Sequence, residues 1–179
     1  KSLNSVVAKT QWGIEILNQD KELAKKLSRE VYDIYPDYVQ NLNLLGTVSV
    51  LEKDLPGAEK FLERALELRP HHINTMLNLS RVYFSQNKYT ETEALLTEVN
   101  SSAPGEGNII FYAVTKIKTR KYQEAVEIVN QYFGKDTADG SALTVTNYAK
   151  WRLGLPINQE VAALEHEFKE LANNFNYLN

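Results

Sequence analysis

Pro36, Pro70 and Pro104 stand 34 residues apart, and the stretches between them are patterned alike. A fixed period of this length points to an array of small units, each resting on its neighbours, and away from a fold built around one long-range core. The segment VQNLNLLGTVSVLEKDLPGAEKFLERALELRPHH, residues 39–72, is the clearest copy. Leu42, Leu45, Leu62 and Leu66 recur at helical spacing, while Gly46, Ala58 and Ala65 leave room for two antiparallel helices to approach closely. Pro70 then stops the second helix. A hairpin this small cannot bury its own apolar stripe, so neighbouring hairpins must complete its core.

The succession of an apolar residue, Leu-Gly, small, large, small and a closing proline, at Leu42, Leu45-Gly46, Ala58, Leu62, Ala65 and Pro70, resembles the tetratricopeptide repeat (TPR). The resemblance implies an all-α fold, a right-handed superhelix or α-solenoid of about ten antiparallel helices that holds another polypeptide in its concave groove. Repeats are expected at about 5–38, 39–72, 73–105, 106–139 and 141–176, forming a single domain over 1–179. In the first, Pro36 aligns Ala8, Trp12, Ala24 and Val31 with the motif, and Asp20 reads as the N-cap of the second helix. The third supplies Met76, Leu79, Ser80, Tyr83, Leu96 and Val99, with Thr92 where alanine is usual. The fourth supplies Ile109, Tyr112, Ala113, Ala125 and Val129; Gly134 should end its second helix, and Asp139 or Ser141 should cap the next. Lys53-Asp54-Leu55, Asn87-Lys88-Tyr89 and Arg120-Lys121-Tyr122 occupy corresponding turns. The last helix, marked by Val161, Leu164, Phe168, Leu171 and Phe175, departs from the motif as a terminal cap should. An unrelated helical appendage is the alternative.

Composition narrows the function. A formal charge of −3 is not that of a general binder of nucleic acid or anionic membrane. With no cysteine, disulfides and thiolate metal sites are excluded and the redox compartment is left open, cytoplasm and periplasm alike. No apolar run approaches the roughly 18 residues of a membrane span. The chain begins with Lys1 rather than methionine, as a processed product or a piece of something longer would.

In the TPR frame the first helix of each pair lines the groove. First helices carry Lys9, Arg81, Lys116, Lys118, Lys150 and Arg152 against Glu15 and Glu52, whereas the second helices carry a large excess of glutamate. An electropositive inner surface suited to an acidic segment or a carboxylate follows, with solvated helix faces as the plain alternative. The frame assigns Lys9, Gln40, Asn43, Thr47, Asn74, Leu77, Arg81 and Phe84, together with Lys118 and Lys150, to partner contact; Val6, Gly13 and Val50 also fall on groove slots. The carboxamides would pair with a ligand backbone, the cations with carboxylates, and Leu77 and Phe84 with apolar side chains. Asn43 could equally be an exposed helix amide, and Phe84 could pack against the next hairpin. The carboxylate clamp of chaperone-binding TPR proteins is matched by Lys9 and Arg81 but not by Gly13, Thr47 or Leu77. No catalytic constellation, metal site or cofactor motif is present; His71-His72 reads as a polar turn. The expected function is a non-catalytic interaction module for a protein or peptide segment. The competing reading is a targeting or oligomerisation domain of a larger enzyme or envelope-assembly protein, pairing copies through the C-terminal helix.

Overall fold

The computed structural model describes residues 3–157 and 159–177. Ten helices follow one another: α1 Leu3–Ile16, α2 Lys21–Tyr32, α3 Val39–Leu51, α4 Leu55–Leu68, α5 Ile73–Ser85, α6 Tyr89–Ser102, α7 Glu106–Lys118, α8 Tyr122–Phe133, α9 Gly140–Arg152 and α10 Val161–Asn173. No strand occurs among the described residues. The fold is all-α and built from TPR-like hairpins. Their contacts gather into two compact units, Lys1–Val82 and Tyr83–Asn179, with the division falling inside α5.

In the first unit α1 packs on α2, α2 on α3 and α3 on α4, while α1 also meets α3 directly. Asp20 and Asp54 start α2 and α4 by accepting the N–H groups of Leu23 and Gly57, each at 2.9 Å. Leu42, Leu45 and Leu62 are fully buried, and Val39, Leu42 and Ala65 form a cluster flanked by Tyr32 and Phe61, whose rings meet edge-on at 5.6 Å. Gly46 marks the closest approach of α3 and α4, because a Cβ there would lie 2.7 Å from Leu62 Cγ. Asn41, buried in α3, donates to the Ser28 carbonyl of α2 at 2.9 Å.

The first repeat departs from the expected alignment. Ala24 and Val31 of α2 are buried in their slots, but in α1 the buried positions are Val6, Thr10 and Gly13, while Ala8 and Trp12 face solvent. The turn over residues 17–20 is one residue longer than that over 52–54, so α1 returns onto α2 in another register. Gly13 is consequently not a groove residue: a Cβ there would lie 2.8 Å from Leu44 Cδ2. Val6 and Val50 are likewise core residues.

In the second unit α6 packs on α7, α7 on α8, α8 on α9 and α9 on α10, and α7 touches α9. Thr92 fits its alanine slot fully buried because its hydroxyl donates back to the Lys88 carbonyl at 2.8 Å. Gly134, at φ 83°, ends α8, and Asp139 caps α9 through the Ala142 N–H at 2.7 Å. Leu164, Phe168 and Ala172 are the buried stripe of α10; Phe175 lies beyond its end. Phe168 stacks on Tyr148 and Phe175 on Phe111. Both rings are packed within the second unit.

Four turns share one device. Lys53, Asn87, Arg120 and Gly154 are left-handed, at φ 61°, 61°, 63° and 73°. Each donates its N–H to the carbonyl three residues back, and the next N–H reaches five residues back: Asp54 to Ser49, Lys88 to Tyr83, Lys121 to Lys116 and Leu155 to Lys150. These pairs satisfy the carbonyls at the end of each first helix. Only the last of the four residues is glycine, so three side chains sit in a conformation that a Cβ resists.

Two stability changes follow. Lys53→Gly and Arg120→Gly should each raise the unfolding free energy by roughly 0.5–1 kcal/mol in urea titrations, the relief of the left-handed penalty exceeding the entropy added to the unfolded chain. Gly46→Val should lower it by about 1–3 kcal/mol, since the added branches must displace Leu62.

Candidate binding groove

Within the first unit, the C-terminal end of α1, the exposed edge of α3 and the start of α5 enclose an open cavity of about 430 Å³. Its walls are Ile14 and Leu17, then Gln40, Asn43, Leu44 and Thr47, then His72, Asn74 and Asn78. Residues 40, 43, 44 and 47 fall together because they are spaced by three and four on one helix, and the same holds for Asn74 and Asn78. Leu44 is buried beneath the cavity, whereas Ile14 is 46% exposed at its rim. Carboxamides thus alternate with apolar surface.

A chain of hydrogen bonds crosses this wall. Asn43 Nδ2 donates to the Val39 carbonyl at 2.9 Å, and Asn43 Oδ1 accepts from Thr75 Oγ1 at 3.0 Å. Thr75 has one proton and gives it to Asn43, so its oxygen accepts from His72 Nδ1–H across 2.7 Å. Neutral His72 is thereby fixed as the Nδ1–H tautomer. Thr47 Oγ1 adds a bond to the Asn43 carbonyl at 3.0 Å. Asn43 is neither a bare exposed amide nor a free ligand clamp; it ties α3 to α5.

Four of the residues assigned from the repeat frame, Gln40, Asn43, Thr47 and Asn74, line this one cavity. The others do not join it. The Lys9 ammonium is engaged by Glu30 of α2, which withdraws it from a ligand carboxylate. Leu77 and Arg81 are half-buried further along α5. Phe84 is buried in the second unit, edge-on to Tyr89 at 5.2 Å and to Phe111 at 5.3 Å, so it is a packing residue and not a groove wall. Lys118 and Lys150 also belong to the second unit; Lys118 is exposed along its stem, but its Nζ lies 6.0 Å from the Phe168 ring centre, and partial loss of water around that ammonium pulls its pKa below the usual lysine value. Ile14, Leu17, His72 and Asn78 are wall residues that the repeat frame leaves out. Asn78 was findable, lying one turn beyond Asn74.

The second unit holds a charge network around the buried Lys116. Lys116, 6% exposed, donates to Glu93 at 2.8 Å and to Glu124 at 2.6 Å, and Lys121 reaches Glu93 at 2.6 Å. The Lys116 ammonium also lies 5.0 Å from the Tyr112 ring centre. Lys116 and Lys9 are therefore both neutralised from second helices, which removes two of the six cations behind the expected electropositive inner face. Burial opposes ionisation of Glu93, but the hydrogen bonds from Lys116 and Lys121 outweigh it and hold its pKa below the ordinary carboxylate range. Burial likewise opposes the charge on Lys116, and the two glutamates outweigh it, so its pKa lies above the ordinary lysine value. Among the described residues no cluster of three His, Cys, Asp or Glu could hold a metal ion. None of the described helices is long and apolar enough to cross a membrane.

Solved structures share this fold. MamA (AMB-1) superposes with a TM-score of 0.74 at 21% identity, over 93% of this chain and 98% of its own. PilF of Pseudomonas aeruginosa gives 0.70 at 16%, over 96% and 77%. The nearly identical TPR-like repeats of Podosopora anserina give 0.70 at 15%, over 97% and 98%. The chain has the tetratricopeptide-repeat-like helical fold of these structures. More particularly, residues 52–132 match the family described as anaphase-promoting complex, cyclosome, subunit 3. Human protein O-mannosyl-transferase TMTC3 is 36% identical over 88 residues, which is 48% of this chain and 10% of that protein. Anaphase-promoting complex subunit 7 of Dictyostelium discoideum is 34% identical over 98 residues, or 47% of this chain and 17% of that protein. The chain thus spans a small part of the length of these relatives.

The Glu93 network gives a pH signature. Because the native carboxylate holds its proton less tightly than the unfolded one, the unfolded state takes up more protons in acid. The stabilisation is complete above the unfolded pKa of about 4.3 and is lost as pH falls through the lower native value. Glu93→Gln should lower the melting temperature at pH 7 and flatten its decline between pH 5 and 3, as read by circular dichroism.

Proposed function

We propose that the chain is a non-catalytic interaction module that binds an extended protein segment along the cavity between α1, α3 and α5. The observation that carries this reading is the convergence of Gln40, Asn43, Thr47 and Asn74 on one open, partly apolar cavity. Gln40, Asn74 and Asn78 offer amide donors and acceptors of the kind that pair with a peptide backbone, and Ile14 and Leu17 take apolar side chains. Asn43, held by Thr75 and Val39, keeps the wall in place and leaves the pairing to its neighbours. Lys118 and Lys150, on successive first helices of the second unit, would by themselves favour an acidic segment there, whereas Lys9, paired with Glu30, gives α1 no such preference.

A second reading places the repeats inside a larger enzyme or assembly protein as its targeting or oligomerisation segment. It is favoured by the relatives, in which the matched stretch is a tenth to a sixth of a longer chain. The two readings agree on protein partners.

Panning a library of random peptides displayed on phage against the chain supplies a ligand for the test. The double substitution Gln40→Ala with Asn74→Ala should weaken the selected peptides about tenfold, as the loss of two hydrogen bonds predicts. Isothermal titration showing unchanged affinity in the double variant would place the site elsewhere.

A further inference from the structure

Two lysines near the end of α7 differ in what surrounds them. Lys116 is held by Glu93 and Glu124, whereas Lys118, the last residue of the helix, reaches no carboxylate among the described residues. The loss of water that lowers its pKa is offset by no counter-ion. Its ammonium stands 6.0 Å from the Phe168 ring centre, and Phe168 stacks on Tyr148 of α9 with ring centres 4.0 Å apart. Tyr148 lies beside a second cation. Arg152, the last residue of α9, has its guanidinium carbon 5.1 Å from the Tyr122 ring centre, 5.7 Å from that of Trp151 and 6.0 Å from that of Tyr148. Tyr148, Trp151 and Arg152 share a face because they are spaced by three and four, and Tyr122 comes in from the start of α8. Arg152 is exposed; Nη1 donates to Tyr148 Oη across a long 3.4 Å, and Glu165 of α10 acts on it from beyond ion-pair reach. Ring faces offer no acceptor for the in-plane N–H groups of a guanidinium, so its fork stays open to an oxyanion. A cation at a helix C-terminus is stabilising in itself, but that effect requires neither three rings around an arginine nor a lysine that gives up water without a partner.

We propose that Lys118 and Arg152, set on the paired rings of Tyr148 and Phe168, form a docking surface for a segment of another protein rich in aspartate and glutamate. Arg152 takes one carboxylate through two parallel N–H donors, and Lys118 takes another as a point charge. A carboxylate arriving at Lys118 supplies the counter-ion it lacks, and part of the water there has already been removed. Arg120, exposed in the turn that follows Lys118, adds positive charge to the approach. The partner is a protein and not a nucleic acid: the chain as a whole carries −3, so a long polyanion would meet repulsion from the glutamates of the second helices, whereas a short acidic stretch meets only this corner. The proposal rests on the reading of the chain as an interaction module but not on the cavity between α1, α3 and α5, since every residue it uses belongs to the second unit.

The test uses the full chain and a fluorescent peptide of alternating glutamate and glycine, followed by anisotropy in physiological salt. The unsubstituted chain should bind it, and Arg152→Ala and Lys118→Ala should each weaken binding about tenfold, as the loss of a charge-assisted hydrogen bond predicts. Arg152→Lys, which keeps the charge and loses the fork, should weaken it less. Glu165→Gln, which removes a competing carboxylate, should strengthen it. Lys135→Glu, about 18 Å away at the far end of α8 and beyond the screening length, should leave it unchanged, as should the Gln40→Ala, Asn74→Ala pair. Any of four results would overturn the proposal: no binding by the unsubstituted chain, Arg152→Ala folded by circular dichroism with unaltered affinity, a loss with Lys135→Glu as large as that with Arg152→Ala, or tighter binding of a single-stranded DNA oligonucleotide of equal charge. None of these bears on the phage-selected peptides, whose dependence on Gln40 and Asn74 is read separately.

Discussion

Reversal of the chain between paired helices is the constraint from which the remaining geometry follows. A first helix must end where its last carbonyls can be satisfied and the next helix can start almost at once. One left-handed residue achieves both, supplying two hydrogen bonds and aiming the chain back along its own path. Lys53, Asn87, Arg120 and Gly154 do this at nearly constant spacing, so successive pairs repeat the same reversal. At the first hairpin Gln19 and Asp20 both donate to the Ile16 carbonyl instead, in a longer turn, and there the repeat register slips.

That difference shows where the fold was legible in sequence. Residues 39–72 carry every packing requirement locally, in Gly46, Ala58 and Ala65, so their pairing could be read directly. The prolines gave the period, and Asp20, Asp139 and Gly134 announced helix ends through capping chemistry that is likewise local. Trp12 misled because a large aromatic in a motif slot looks like core. The slot had moved, and only the length of the turn over residues 17–20 records it. Phe84 misled for a related reason: it falls on a groove slot of the frame, but Tyr89 and Phe111 close over it.

Candidate site residues divided along the same line. Gln40, Asn43, Thr47 and Asn74 share a wall because helical periodicity alone decides which face they occupy. Charges are harder to place. Lys9 and Lys116 stand on first helices as expected, yet long side chains reach across to glutamates on second helices, and a sum of formal charges by helix cannot register that reach. Each such pairing removes a cation from the inner surface while tying two helices together.

The relay from His72 through Thr75 and Asn43 to Val39 bears on how the cavity of the first unit meets a visitor. Because α3 and α5 are stitched by groups that satisfy one another, that wall has little latitude to widen or tilt. An incoming strand would find its mould already set, losing little entropy to rearrangement of the host. The same stiffness makes the cavity a poor match for bulky intruders, so selectivity would arise as much from what the seam between two hairpins refuses as from what it holds.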